Sequence, residues 1–150
     1  MTSHSTTTIL VVDDDAAIRE LIVETLSDEG YSIIQAPDGA KALDILRASA
    51  EPLVVLLDLM MPRMSGKDVL QAVAADHRLA TTHAYVLITA AEHSLPLPFV
   101  HLLTWLKVPI LPKPFDLRVL LYCVERALWR LAPREVSLAG CDEYEYELTS

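Results

Sequence analysis

The stretch LVVLLDLMMPRMSG, residues 53–66, decides how the rest of the chain is read. Residues 53–57 are continuously apolar and end at Asp58. Pro52 precedes the run, and Pro62 to Gly66 reads as a loop behind it. A short apolar run between breakers suits a central parallel strand with both faces buried. A parallel partner requires a crossover, usually a helix. The flanking sequence should therefore alternate strand and helix.

It does. Thr8 to Val12 is a short β-branched run that ends in Asp13, Asp14 and Asp15. Ile18, Leu21, Ile22, Thr25 and Leu26 then fall on one helical face, and Gly30 is placed to stop that helix. Residues 31–36 read as a second strand. Asp38-Gly39 opens another helix with Ala42, Leu43, Leu46 and Ala50 inward. Beyond Gly66, Val69, Leu70, Val73 and Ala74 mark a third helix. Residues 85–89 form a fourth strand, 99–106 a short fourth helix, 108–111 a fifth strand and 115–131 a long fifth helix. This alternation predicts an α/β, doubly wound, five-stranded parallel sheet with right-handed crossovers. No internal repeat is present.

Composition agrees with one domain. The chain has 150 residues, 52% hydrophobic and 22% charged, enough apolar material for a core. Its net charge of −9 excludes a global nucleic-acid footprint and a basic membrane patch. Cys123 and Cys141 make neither a disulfide framework nor a zinc site, and the histidines are scattered. No signal-peptide pattern opens the chain and no apolar run spans a membrane. The expectation is a soluble, cytoplasmic protein. Residues 1–7 are expected to be a disordered segment and 8–131 the domain. Residues 132–150 form an acidic tail, mobile or partner-binding, with Glu135, Asp142, Glu143, Glu145 and Glu147.

Ligand chemistry in such sheets sits at the carboxyl ends of the strands. Asp13, Asp14 and Asp15 follow the first strand, Asp58 ends the third, Thr89 ends the fourth and Lys113 follows the fifth. Each alone has an ordinary role: a helix cap, a turn, a strand-end hydroxyl, a solvated lysine. Together they meet at one edge. Clustered carboxylates repel and need a cation or raised pKa values. Mg²⁺ suits such oxygens and leaves positions open for a phosphate. Lys113 and Thr89 offer a charge and a hydroxyl to phosphoryl oxygens, and a carboxylate can itself become an aspartyl-phosphate.

The chain resembles a response-regulator receiver domain of two-component signalling, of the stand-alone single-domain type. The resemblance is carried by Val11-Val12-Asp13-Asp14-Asp15, Leu57-Asp58-Leu59-Met60-Met61-Pro62 with Gly66, Thr89-Ala90 and Lys113-Pro114-Phe115. It covers about residues 8–131. It implies a flavodoxin-like (βα)5 fold of strand order 2-1-3-4-5. It implies that Asp58 accepts a phosphoryl group from a sensor histidine kinase or a histidine phosphotransfer protein. Asp13, Asp14, Asp58 and the Met60 backbone carbonyl would hold Mg²⁺. Thr89 and Lys113 would contact the phosphoryl group, and the Lys113–Pro114 peptide would be cis. Output would be binding of a downstream protein target, with no direct nucleic acid and no membrane partner. No enzymatic activity is implied beyond self-phosphorylation and autodephosphorylation.

The sequence also departs from that family. Ile110 stands where receivers usually carry an aromatic switch, and Leu106-Lys107-Val108-Pro109 replaces the usual Gly-Ala. Residues 95–106 are unusually apolar, which points to an interface. A symmetric dimer through the fourth helix, fifth strand and fifth helix is one form of it. The alternative is that the fifth helix covers them with Tyr122 and Trp129. Met60 and Ala91 flank the family's water path and are apolar, so a long-lived phosphorylated state is expected.

Four other readings compete. A degenerate receiver would act as a constitutive binding scaffold, and the same sequence could be the receiver of a larger hybrid kinase or transcription regulator. An aspartyl-phosphate hydrolase would need a second Asp where Met60 stands. A flavin site would need a phosphate loop after the first strand, where three aspartates stand instead.

Overall fold

The computed structural model describes residues 7–132. The expected N-terminal segment (1–7) and acidic tail (132–150) lie outside the described residues except for Thr7 and Ala132. Five strands form one sheet: β1 (Thr8–Val12), β2 (Ser32–Ala36), β3 (Leu53–Asp58), β4 (Ala84–Thr89) and β5 (Ile110–Pro112). Their order is β2-β1-β3-β4-β5 and every pairing is parallel. The predicted class and topology are those observed.

β3 and β4 are buried along their whole length, as the continuous apolar run requires. Side chains alternate between two cores. Leu10, Val12, Val55, Leu57 and Leu87 face one core with Leu46, Val69, Leu70 and Phe99. Ile9, Val11, Val54, Leu56, Val86 and Ile88 face the other with Ile22, Leu26, Leu120 and Val124. At roughly 1.5–3 kcal/mol for each fully buried large apolar side chain, these two layers dominate stability.

The helices are α1 (Ala16–Asp28), α2 (Gly39–Ala48), α3 (Gly66–Ala74), α4 (His77–Thr82), α5 (Leu97–Leu106) and α6 (Leu117–Leu131). Short polar residues start most of them. Asp15 caps α1, Asp38 caps α2, Asp76 caps α4 and Asp116 caps α6 through side-chain bonds to first-turn amides. Ser65 and Asp68 close a reciprocal capping box on α3.

Several expectations are corrected. α4 is absent from the predicted elements: six residues with Leu79 alone buried carry no readable period. β5 begins at Ile110, because Lys107 ends α5 in a left-handed turn (φ 61°) and Val108 lies in the connection. α6 starts at Leu117 behind its Asp116 cap, and α5 starts at Leu97 with Pro98 in its first turn. Leu21 is exposed while its neighbour Ile22 is buried, and Ala50 lies beyond the end of α2 rather than on its inward face. Within α5, Phe99 and Leu103 are buried, whereas Leu97 and Trp105 are exposed. Tyr122 and Trp129 are exposed as well, so they do not cover α5.

Candidate functional site

The carboxyl ends of β1, β3 and β4 are set side by side by the register. Val12 pairs with Leu57, and Asp58 pairs with Ile88. Residues that follow or end these strands must therefore meet at one edge. Thr89 pairs with Pro112, which brings Lys113 to the same edge.

Three consecutive aspartates follow β1, and the structure separates their roles. Asp15 turns to α1 and accepts from the amides of Ala17 and Ile18. Asp13 is buried, and its Oδ1 accepts the Asp15 amide at 2.9 Å. Asp14 is exposed. Carboxylate oxygens of Asp13, Asp14 and Asp58 all lie within 4.8 Å of one another. Only Asp15 takes the ordinary capping role.

Asp58 ends β3 and is 4% exposed. The loop beyond it pins its backbone. The Leu59 amide donates to the Ile88 carbonyl at 3.0 Å, and the Gly66 amide donates to the Leu59 carbonyl at 2.8 Å. Gly66 packs so closely that a Cβ there would stand 2.6 Å from the Asp58 carbonyl oxygen. Met60 lies two residues past Asp58 with its side chain exposed.

Lys113 reaches into this cluster. Its Nζ lies 2.9 Å from Asp58 Oδ1 and 3.4 Å from Asp13 Oδ2. Its amide donates to the Thr89 carbonyl at 2.9 Å, so the Lys113 and Thr89 backbones are tied together. The Lys113–Pro114 peptide is cis, as expected. Thr89 is buried, and its Oγ1 accepts the Ala91 amide at 2.9 Å. That leaves the hydroxyl proton available to donate elsewhere.

The electrostatics follow from crowding. Burial pushes the Asp58 carboxyl up to about 6; the charges of Asp13 and Asp14 add to this, and the Lys113 bond offsets only part of it. Burial alone would lower the Lys113 ammonium, but the hydrogen bond and charge of Asp58, with those of Asp13, outweigh it and raise it. The site thus holds more negative charge than one lysine compensates. Its oxygen-only donor set fits a hard divalent cation.

All the predicted residues Asp13, Asp14, Asp58, Met60, Thr89 and Lys113 lie at or next to the carboxyl ends of these strands. Sequence reasoning missed Arg19. Its guanidinium donates to the Asp13 carbonyl through Nη1 at 2.6 Å and to Gln35 Oε1 at 3.0 Å. No pattern announces it, because an arginine on a helix is ordinarily solvated.

The family model for the response regulator receiver domain matches residues 9–125. The response regulator MprA of Mycobacterium sp. (strain KMS) is 39% identical over 127 residues, 85% of this chain and 53% of that protein. The chain thus spans about half the length of the curated relatives it matches. A CheY-like response regulator receiver domain protein from Methanospirillum hungatei superposes with TM-score 0.68 and 33% identity, over 83% of this chain and 94% of the other. The Vibrio cholerae chemotaxis protein CheY4 superposes with TM-score 0.67 and 27% identity, over 81% and 98%.

Proposed function

The chain belongs to the response-regulator receiver family, and from that premise we propose that Asp58 is its phosphoacceptor. The observation that carries this is the Lys113 ammonium 2.9 Å from Asp58 Oδ1, with two further carboxylates beside it. An Asp58 oxygen attacks phosphorus in line, the P–O bond forms, and the P–N bond to the donor imidazole breaks. The imidazole leaves and takes up a proton. Lys113 then exchanges its carboxylate partner for a phosphoryl oxygen. Thr89 donates its hydroxyl proton to a second one.

Asp13, Asp14 and Asp58, with the Met60 carbonyl, would hold Mg²⁺. When bound it neutralises the clustered carboxylates and the incoming oxygens. Arg19 holds the Asp13 backbone in place and is a positioning residue.

In this reading the donor is a sensor histidine kinase or a histidine phosphotransfer protein, and the output is binding of a downstream protein in the cytoplasm. Among the described residues no helix is long and apolar enough to cross a membrane. The protein is a phosphoacceptor rather than an enzyme. An aspartyl-phosphate hydrolase would want a second Asp two residues beyond the acceptor, where Met60 stands.

A second reading rests on Ile110, which is half-buried at the start of β5 and offers no ring to rotate. The domain would then bind partners constitutively. Intact mass after acetyl phosphate treatment separates the two. A Mg²⁺-dependent gain of one phosphoryl group, absent in Asp58→Asn, supports the acceptor. No gain with acetyl phosphate or with a phosphohistidine donor overturns it in favour of the scaffold.

A further inference from the structure

Asp13 is pinned at its amide, its carbonyl and one carboxylate oxygen. The amide donates to the Ala36 carbonyl at 3.2 Å, which ties Asp13 to the end of β2. Oδ1 accepts the Asp15 amide at 2.9 Å. The carbonyl accepts Arg19 Nη1 at 2.6 Å. Oδ2 lies 3.4 Å from Lys113 Nζ, the weakest of these contacts, and is the oxygen free to serve a cation. Asp13 is also 1% exposed, so its surroundings give it little room to shift.

The hold on the carbonyl comes from outside the acidic edge. Arg19 lies one turn into α1, where its amide donates to the carbonyl of the Asp15 cap. A helical side chain leans toward the N-terminus of its helix, which here adjoins the end of β1. The guanidinium then forks. Nη1 holds the Asp13 carbonyl, while Nε donates to Gln35 Oε1 at 3.0 Å. Gln35 precedes Ala36 on β2. That strand therefore holds Asp13 twice, directly through Ala36 and through Arg19 by way of Gln35. By charge alone, a guanidinium beside a cation site opposes the ion. Geometry gives it a use. A planar fork fixes two acceptors at once, which a flexible ammonium does not. Mg²⁺ demands near-ideal ligand geometry, whereas Ca²⁺ accepts varied ligand spacings. A carboxylate whose backbone cannot drift favours the smaller ion.

We propose that the Arg19–Gln35 pair makes the Asp13, Asp14 and Asp58 cluster select Mg²⁺ over larger divalent cations such as Ca²⁺, by fixing the Asp13 backbone from β2. This rests on the metal-binding reading of that cluster and deepens it, because it assigns the discrimination to two positioning residues outside the carboxylates.

The test is direct cation binding with no phosphoryl donor present. ¹H–¹⁵N NMR spectra of the full chain, titrated separately with MgCl₂ and CaCl₂, read both affinities from the Asp13, Asp14, Asp58 and Met60 amides. The same spectra show that each variant stays folded. Arg19→Met removes the fork and its charge. Gln35→Leu, at an exposed position, loosens the fork and leaves every charge in place. Arg19→Met should weaken Mg²⁺ about tenfold, the low end for losing a group that orients a ligand, and Ca²⁺ by less than about threefold. Gln35→Leu should lower the Mg²⁺-to-Ca²⁺ affinity ratio in the same direction, by about threefold. Charge alone predicts the opposite for Arg19→Met, tighter binding of both ions. Mg²⁺ affinity that rises or stays unchanged in Arg19→Met, equal weakening of both ions, or a ratio unmoved by Gln35→Leu would overturn the proposal and leave the metal site standing. No Mg²⁺-dependent shift at those amides in the unaltered protein would overturn the metal site itself, and the proposal with it.

Discussion

Lys113 Nζ and Asp58 Oδ1 lie 2.9 Å apart although 55 residues separate them in the chain. The contact joins the loop after β5 to the end of β3, with the Asp13 carboxylate sharing the same ammonium at 3.4 Å. Lys113 thus touches the group that reacts. Replacing it with a neutral chain of similar length, Lys113→Met, removes the only cation ion-paired to Asp58 among the described residues. The acetyl phosphate time course, followed by intact mass at saturating Mg²⁺, should slow by about 100-fold, the usual size of losing one charge-stabilising donor. An unchanged rate would remove Lys113 from the chemistry and leave it a structural role.

Gly66 controls the same carboxylate from behind. A Cβ at this position would meet the Asp58 carbonyl oxygen at 2.6 Å and the Leu59 Cα at 2.9 Å. Both are backbone atoms at the end of a fully buried strand, so neither moves cheaply. Gly66→Ala should cost about 2–3 kcal/mol, or about 5–10 °C in Tm, and slow phosphorylation as well. Gly30→Ala is the contrast. That site has open space around it but a φ of +94°, so only backbone strain of about 1 kcal/mol is expected. Thermal melts of both variants check the ranking, and a Gly66→Ala melt like that of Gly30→Ala would contradict it.

Much of this arrangement is legible before any coordinates. The run 53–57 reads as a strand buried on both faces, and that choice forces Asp13, Asp58, Thr89 and Lys113 to one edge. What stays hidden is decided by packing. Asp13, Asp14 and Asp15 are chemically identical in sequence, and only the helix start turns Asp15 away as a cap. Leu21 and Ile22 both match a helical stripe within one position, and one is exposed while the other is buried. α4 has one anchor, Leu79, and is held by its Asp76 cap rather than by a period. The Arg19 contact with the Asp13 carbonyl joins a helix to a strand end and leaves no local trace.

Met60 bears on how long a phosphoryl group would persist. It lies two residues from Asp58 and is 68% exposed, so substitution there should leave the fold intact. A thioether cannot orient an attacking water, whereas a carboxamide can. Met60→Asn should shorten the lifetime of the phosphorylated protein about tenfold, a modest gain for a positioned polar group. Decay of the phosphorylated mass after donor removal measures it, and faster loss from the unaltered protein would contradict the long-lived state.

His83 sets a pH limit on the fold, far from the acidic edge. It precedes β4, is 4% exposed, and its Nδ1 accepts the Leu53 amide at 3.0 Å. That bond needs an unprotonated Nδ1, so the neutral ring carries its proton on Nε2. Burial lowers the imidazole pKa; the Leu46 backbone opposes this in part and the Arg78 charge adds to it. Protonation would break the Leu53 bond and bury a charge at the first residue of β3. The unfolded chain therefore binds the proton more readily, and stability rises with pH across the window. The contribution is complete above the unfolded value of about 6.5 and is lost as pH falls from there toward the lower folded value. The slope from this one group is at most about 1.4 kcal/mol per pH unit. Urea midpoints of the unaltered protein and of His83→Gln between pH 7 and pH 5 isolate it from the titrating carboxylates, which both proteins share. The unaltered protein should lose stability more steeply on acidification than His83→Gln, and parallel pH profiles would show that His83 titrates alike in the folded and unfolded chains.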